Sequence, residues 1–157
     1  MSKYASGTNV SVEKSKAEIE RILLRYGADQ YMSGSDLSAG KAMVSFRYNG
    51  IPCRLMLSLP TPEEKCFHVT PGGRRRRDEH AAQKEWEKAC RQRWRVLKLL
   101  IHAQLEAVEN GVLTVQDAFF PWIMLPNGNT VSESFGSELL HAIEKGQMPK
   151  QLTFGGK

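Results

Sequence analysis

The chain has 157 residues, 41% of them hydrophobic and 25% charged, with a net charge of +5 and a pI of about 9.2. That length suits one domain, 1–157, with a core of its own, and the composition excludes a disordered or fibrous protein. The longest apolar stretches, such as Leu99 to Ile101 and Ile123 to Leu125, are far too short to span a membrane.

Three cysteines, Cys53, Cys66 and Cys90, are odd in number and form no CxxC pair. That disfavours a secreted disulfide scaffold and fits a reducing cytosol. The polar N-terminus predicts no signal peptide, so the expected location is cytoplasmic.

Residues 1–10 are small and polar and predict a flexible arm. Ser11 is a candidate N-cap for a first helix from Val12 to Tyr26. There Val12, Ile19, Ile22, Leu23 and Tyr26 share one face, and Gly27 supplies the stop. A β region follows. Asn49-Gly50 marks a two-residue type I′ hairpin turn. Its flanks alternate, with Ala42, Val44, Phe46 and Tyr48 on one face and Ile51, Cys53, Leu55, Leu57 and Leu59 on the matching one. The turn pairs Tyr48 with Ile51, Phe46 with Cys53 and Val44 with Leu55. Pro52 makes the outer edge near the turn a poor place for another strand. A third strand around Gln30 to Ser33 completes a meander through a loop from Gly34 to Gly40.

Residues 60–73 hold three prolines and two glycines and read as a connection, with a short extended piece at Cys66 to Val69. A long helix is predicted from Asp78 to Glu109, about 45–50 Å in length. Its apolar seam is Trp86, Cys90, Trp94, Leu97, Ile101, Leu105 and Val108, and Asn110-Gly111 ends it. Trp86 and Trp94 lie on this seam, which favours core packing over base stacking. Thr114 to Asp117 resembles a capping box that opens a short helix limited by Pro121. Leu125-Pro126-Asn127-Gly128 is a turn. A last helix runs from about Glu133 to Lys145 with Phe135, Leu139, Leu140 and Ile143, followed by a flexible tail over 147–157. The fold class is α+β: a small antiparallel β-meander packed on a long amphipathic helix, with flanking shorter helices.

The charge excess is concentrated between Arg74 and Lys98. Lys84, Lys88, Arg91, Arg95 and Lys98 follow at steps of 4, 3, 4 and 3 residues, His102 continues the row, and Arg74, Arg75, Arg76 and Arg77 lie just upstream. At 100° per residue the row falls within about 40° of Lys84, while the apolar seam lies between roughly 200° and 300°. On this reading one face packs and the other binds. Glu106 and Glu109 reverse the sign further along. Like charges at this spacing repel, and cations near a helix N-terminus cost roughly 0.3–1 kcal/mol each. An anionic partner accounts for them: a nucleic-acid backbone or an acidic protein surface, against the plain alternative of a solvated face. Helix pairing into a homo-oligomer is a further use of charged flanks. Arg47 and Arg54, on the outer face of the hairpin, could add to a binding surface.

Signals for chemistry are weaker. Glu63-Glu64-Lys65 contains an E-x-K triplet, with Asp36 upstream, which some metal-dependent nucleases use to hold Mg²⁺ and orient water. Here it falls in a proline-flanked loop. Cys66 and His68, two apart on an extended segment, could meet as nucleophile and base. No orienting acid accompanies them. No paired metal-ligand spacing, P-loop, dinucleotide fingerprint, HExxH or GxSxG is present. The expectation is a non-enzymatic binding protein with no catalytic residues, metal or cofactor.

Six segments resemble a family of small proteins encoded by bacteriophages and prophages: Tyr4 to Thr8, Ser15 to Ile19, Tyr26 to Ala28, Arg91 to Arg95, Leu105 to Val108 and Leu125 to Gly128. The resemblance implies a phage accessory protein. Such proteins act in replication, recombination or transcription, or evade host defence. The leading expectation is therefore non-enzymatic nucleic-acid binding, to DNA or RNA, through Arg74 to Arg77, Lys84, Lys88, Arg91, Arg95 and Lys98. The alternatives are an inhibitor of anti-CRISPR or anti-restriction type that binds a host defence protein, and a metal-dependent nuclease using Glu63 and Lys65.

Overall fold

The computed structural model describes residues 4–147 and has the α+β architecture expected. The element order is α1 (Val12–Arg25), β1 (Gln30–Asp36), β2 (Lys41–Tyr48), β3 (Ile51–Ser58), α2 (Lys65–His68), α3 (Glu79–Glu109), α4 (Val115–Phe119), a 3-10 turn (Phe120–Trp122) and α5 (Val131–Lys145). Ser11 caps α1 by accepting from the Lys14 N–H. Asp78 caps α3 by accepting from the Ala81 N–H.

The sheet is antiparallel in the order β1-β2-β3. Asn49 and Gly50 both take positive φ, 50° and 78°, as a type I′ turn requires. The hairpin register is the predicted one, Tyr48↔Ile51, Phe46↔Cys53 and Val44↔Leu55. Strand β1 is longer than expected and reaches Asp36, because its backbone completes a ladder with β2 from Gln30↔Arg47 to Asp36↔Lys41. The loop shrinks accordingly, and Gly40 closes it at φ 59°. A Cβ there would lie 2.8 Å from the Leu59 carbonyl oxygen, so only glycine fits. Pro52 lacks an N–H, yet its carbonyl accepts from the Met124 N–H at 2.8 Å, and Ile123 bridges Cys53. The outer edge near the turn is therefore used, though only by a two-residue bridge.

One face of the sheet meets the helices. Val44, Phe46, Cys53 and Leu55 join Ile19 and Leu23 of α1, Trp94, Leu97, Ile101 and Leu105 of α3, and Phe119 of α4 in one buried cluster. Cys90, on the same seam, is also buried, while Trp86 is only partly covered. Phe119 packs edge-on against Phe46 and Tyr48, at centroid distances of 5.5 and 6.2 Å. The opposite sheet face exposes Met32 and Met56.

Two segments differ from expectation. Residues 65–68 form the helical turn α2, not an extended piece. Phe67 is buried and α2 packs on α3, so a tertiary contact decides the local conformation. Helix α5 starts at Val131, because Thr130 and Glu133 form a capping box that the sequence contains. The box expected at Thr114 and Asp117 is present. Residues Tyr4 to Thr8, within the predicted arm, are held to α3: Gln92 Nε2 donates to the Tyr4 carbonyl at 3.0 Å and Arg91 Nε to the Thr8 carbonyl at 3.3 Å. The predicted tail lies outside the described residues, apart from Gln147. No helix among the described residues is long and apolar enough to cross a membrane.

Candidate nucleic-acid interface

The structure divides the basic row in two. Helix α1 runs alongside α3 in the same direction and covers the later part of the row. Arg95 pairs with Glu18 of α1 at 2.5 Å, with both side chains largely covered (17% and 21% exposed). Arg91 reaches the Thr8 carbonyl and lies 3.9 Å from Glu87. His102 stands 3.4 Å from Glu106, whose carboxylate also accepts from the hydroxyl of Tyr26, the C-cap of α1. The expectation that the whole row faces away from the fold is corrected: Arg91, Arg95 and His102 are seam residues between two helices. Their cost as like charges is offset by partners that a single-helix projection cannot show.

The Arg95 pair has a pH consequence. The hydrogen bond from Arg95 holds the Glu18 carboxyl below its ordinary value, against the opposing effect of burial. A lowered folded-state pKa contributes stability that is complete above the ordinary carboxylate value and is lost as pH falls through the lowered one. Glu18→Gln is expected to cost about 1.5–3 kcal/mol at neutral pH, the range for hydrogen bonds to charged groups. The gap in melting temperature between the two proteins should close as pH is lowered past the carboxylate range. A gap that stays constant with pH would contradict the assignment.

Upstream, residues 69–77 fold into an ordered loop. Val69 bridges Arg76, the Thr70 N–H donates to the Arg75 carbonyl at 2.9 Å, and the Arg77 N–H donates to the His68 carbonyl at 2.8 Å. Arg77 is the pin. Its Nη1 donates to the carbonyls of Cys66, Phe67 and Val69 at 3.1, 3.2 and 2.5 Å. It collects the carbonyls left open at the end of α2 and so serves the loop instead of a partner. Arg77→Ala is expected to cost about 1–2 kcal/mol and to speed tryptic cleavage at Arg74 to Arg76. Unchanged cleavage would show that Arg77 does not order the loop.

Arg74, Arg75 and Arg76 are exposed on this loop, and Lys84 is exposed and Lys88 half-buried on the first turns of α3. None of the five side chains makes a hydrogen bond or ion pair within the described residues. Lys98, also half-buried, lies in the field of Glu18. The two hairpin arginines are engaged: Arg47 makes a forked pair with Asp29 (2.6–3.1 Å), and Arg54 binds Glu133 at 2.6 Å.

The catalytic alternatives find little geometry. Glu63 sits in the turn before α2 and Lys65 begins that helix, while Asp36 ends β1 with its carboxylate accepting from the Ser38 hydroxyl and the Ala39 N–H. These residues do not share neighbouring strands. Cys66 and His68 are turned apart by the helix. His68 Nε2 contacts the Pro62 carbonyl at 2.8 Å, and Cys66 lies 3.7 Å from Glu64. Burial, and then the Glu64 charge, push the Cys66 thiol up, the reverse of nucleophile activation. No group of three or more His, Cys, Asp or Glu among the described residues could hold a metal ion.

No protein-family model, characterised protein or solved structure matches the chain. The functional reading therefore stands on the residues themselves.

Proposed function

We propose that the protein is a phage-type accessory protein that binds nucleic acid without catalysis, through a basic surface at the N-terminal end of α3. The contacts come from Arg74, Arg75 and Arg76 on the pinned loop and from Lys84 and Lys88 on the helix. One observation carries the reading: none of these five side chains makes a hydrogen bond or ion pair within the described residues, whereas Arg91, Arg95, Arg77, Arg47 and Arg54 each have a structural partner. Like charges on one loop and on neighbouring turns of a helix repel one another, and an anion bound across them relieves that repulsion. The resemblance of the six segments to phage proteins supports the accessory role and the host cytoplasm as its setting.

The test is an anisotropy titration of labelled DNA and RNA, single- and double-stranded, at low salt. Binding by the chain, and its loss when the five cations are replaced by alanine, supports the proposal. No binding at low salt contradicts it.

A second reading, inhibition of a host defence protein, is favoured by α5. Its Leu139, Leu140 and Ile143 are 47%, 64% and 69% exposed, an apolar stripe that a protein partner would cover. Under that reading Leu140→Glu with Ile143→Glu removes protection of phage DNA in cells. Under the first reading the double variant binds nucleic acid as the parent does.

A further inference from the structure

Between the first turn of α1, the β1–β2 loop and the N-terminal half of α3 lies an open cleft of about 310 Å³. That is the lower end of the size of small-ligand sites, about 300–1,000 Å³. Its apolar lining comes from Leu37, Leu59, Trp86, Cys90 and Trp94. Its charged lining is balanced, with Lys16 and Arg91 against Glu13 and Glu87.

The two tryptophans play different parts. Trp94 is 1% exposed, and Lys16 Nζ sits 4.9 Å from its ring centroid, so it backs the cleft as part of the core. Trp86 is only partly covered, and its indole N–H is already donated to the Pro60 carbonyl at 2.8 Å. What Trp86 offers the cleft is therefore ring surface, held in place by that hydrogen bond.

The balanced charge gives a phosphate no advantage inside. The lining suits a neutral, planar group with apolar faces and N–H donors at its edge: the faces lie on Trp86 and Leu37, and the donors meet the carboxylate of Glu13 and the acceptor capacity left on that of Glu87, which already accepts from Gln83 Nε2 at 3.0 Å. Carboxylates accept from exocyclic base amines in this way. Anion-binding groups lie next door, not within. Lys84 is three residues before Glu87 and Lys88 three before Arg91, so each is the surface neighbour of a cleft residue on α3.

We infer that this cleft receives one unpaired nucleobase of a single strand whose flanking phosphates lie on Lys84 and Lys88. The inference rests on the nucleic-acid reading above and narrows it to single strands, because a base stacked in a duplex cannot enter. A base held against one aromatic ring should add about tenfold in affinity.

The experiment uses the full chain at low salt with three labelled probes: a mixed-sequence single strand, an abasic strand of the same length and charge, and a blunt duplex of that sequence. The expected result is about tenfold tighter binding of the base-bearing strand than of the abasic one, with quenching of tryptophan fluorescence by the former alone. Trp86→Phe should remove the quenching, and Trp86→Leu should bring the base-bearing strand to the abasic level. Equal affinity for the two strands without quenching, or preference for the duplex, overturns this inference while leaving backbone binding in place. Failure of all three probes to bind overturns the nucleic-acid reading and the inference with it.

Discussion

Trp94→Ala is expected to be the most destabilising single replacement in the helical layer, at roughly 3–5 kcal/mol. Trp94 is 1% exposed and sits where α1, α3 and the sheet meet, among Ile19, Leu23, Leu97 and Leu55 in the buried cluster. Truncation removes the apolar area and leaves a space that a sheet and two helices cannot close together. It also strips Lys16 of the ring beneath it, a contact worth about 0.5–1 kcal/mol at exposed sites. Against a typical total of about 5–15 kcal/mol, that is a large share. For a chain of this size it lowers the melting temperature by roughly 6–20 °C. Trp94→Phe should recover most of the loss, because a second aromatic ring refills most of the space. A loss below about 1 kcal/mol for the alanine variant would place Trp94 outside the core.

Replacing Arg74, Arg75, Arg76, Lys84 and Lys88 together by alanine should have the opposite profile. None of the five has an internal partner, so stability should hold or rise slightly as repulsion near the α3 N-terminus is relieved. Affinity for a single strand should fall by two orders of magnitude or more at about 50 mM salt, since each phosphate contact contributes counterion release. Arg95→Gln is the matched control. It also removes one cation of the original row, but it breaks the Glu18 pair, so it should lower the melting temperature and leave nucleic-acid affinity near that of the parent. Equal loss of affinity in the two variants would mean that the row binds as one surface after all.

The contrast shows which parts of the molecule were legible in the sequence. The hairpin register was, because Asn49-Gly50 and strict alternation are local and allow one pairing only. The seam of α3 was, because its period is unbroken from Trp86 to Val108, about six turns. The Thr130–Glu133 box was equally local, and reading it would have placed the start of α5 correctly. Two features were not legible for physical reasons. Helix α2 and the outer half of β1 have no propensity of their own; Phe67 docking on α3 and the ladder to β2 impose them. The division of the basic row depends on which helix lies beside α3 and in which direction it runs. Glu18 and Arg95 are 77 residues apart, and no spacing within α3 reveals that pair. Charge density along α3 could not separate cations that are paired within the fold from cations that have no internal partner.

The salt dependence of binding tests the central claim most directly. Five phosphate contacts predict that log K falls with log salt at a slope of about −3.5 on a single strand and about −4.5 on a duplex, so affinity drops by roughly a hundredfold or more between 50 and 200 mM salt. The five-alanine variant should show a slope near zero. A parent protein whose affinity is indifferent to salt, or whose slope survives removal of Arg74, Arg75, Arg76, Lys84 and Lys88, would contradict the account.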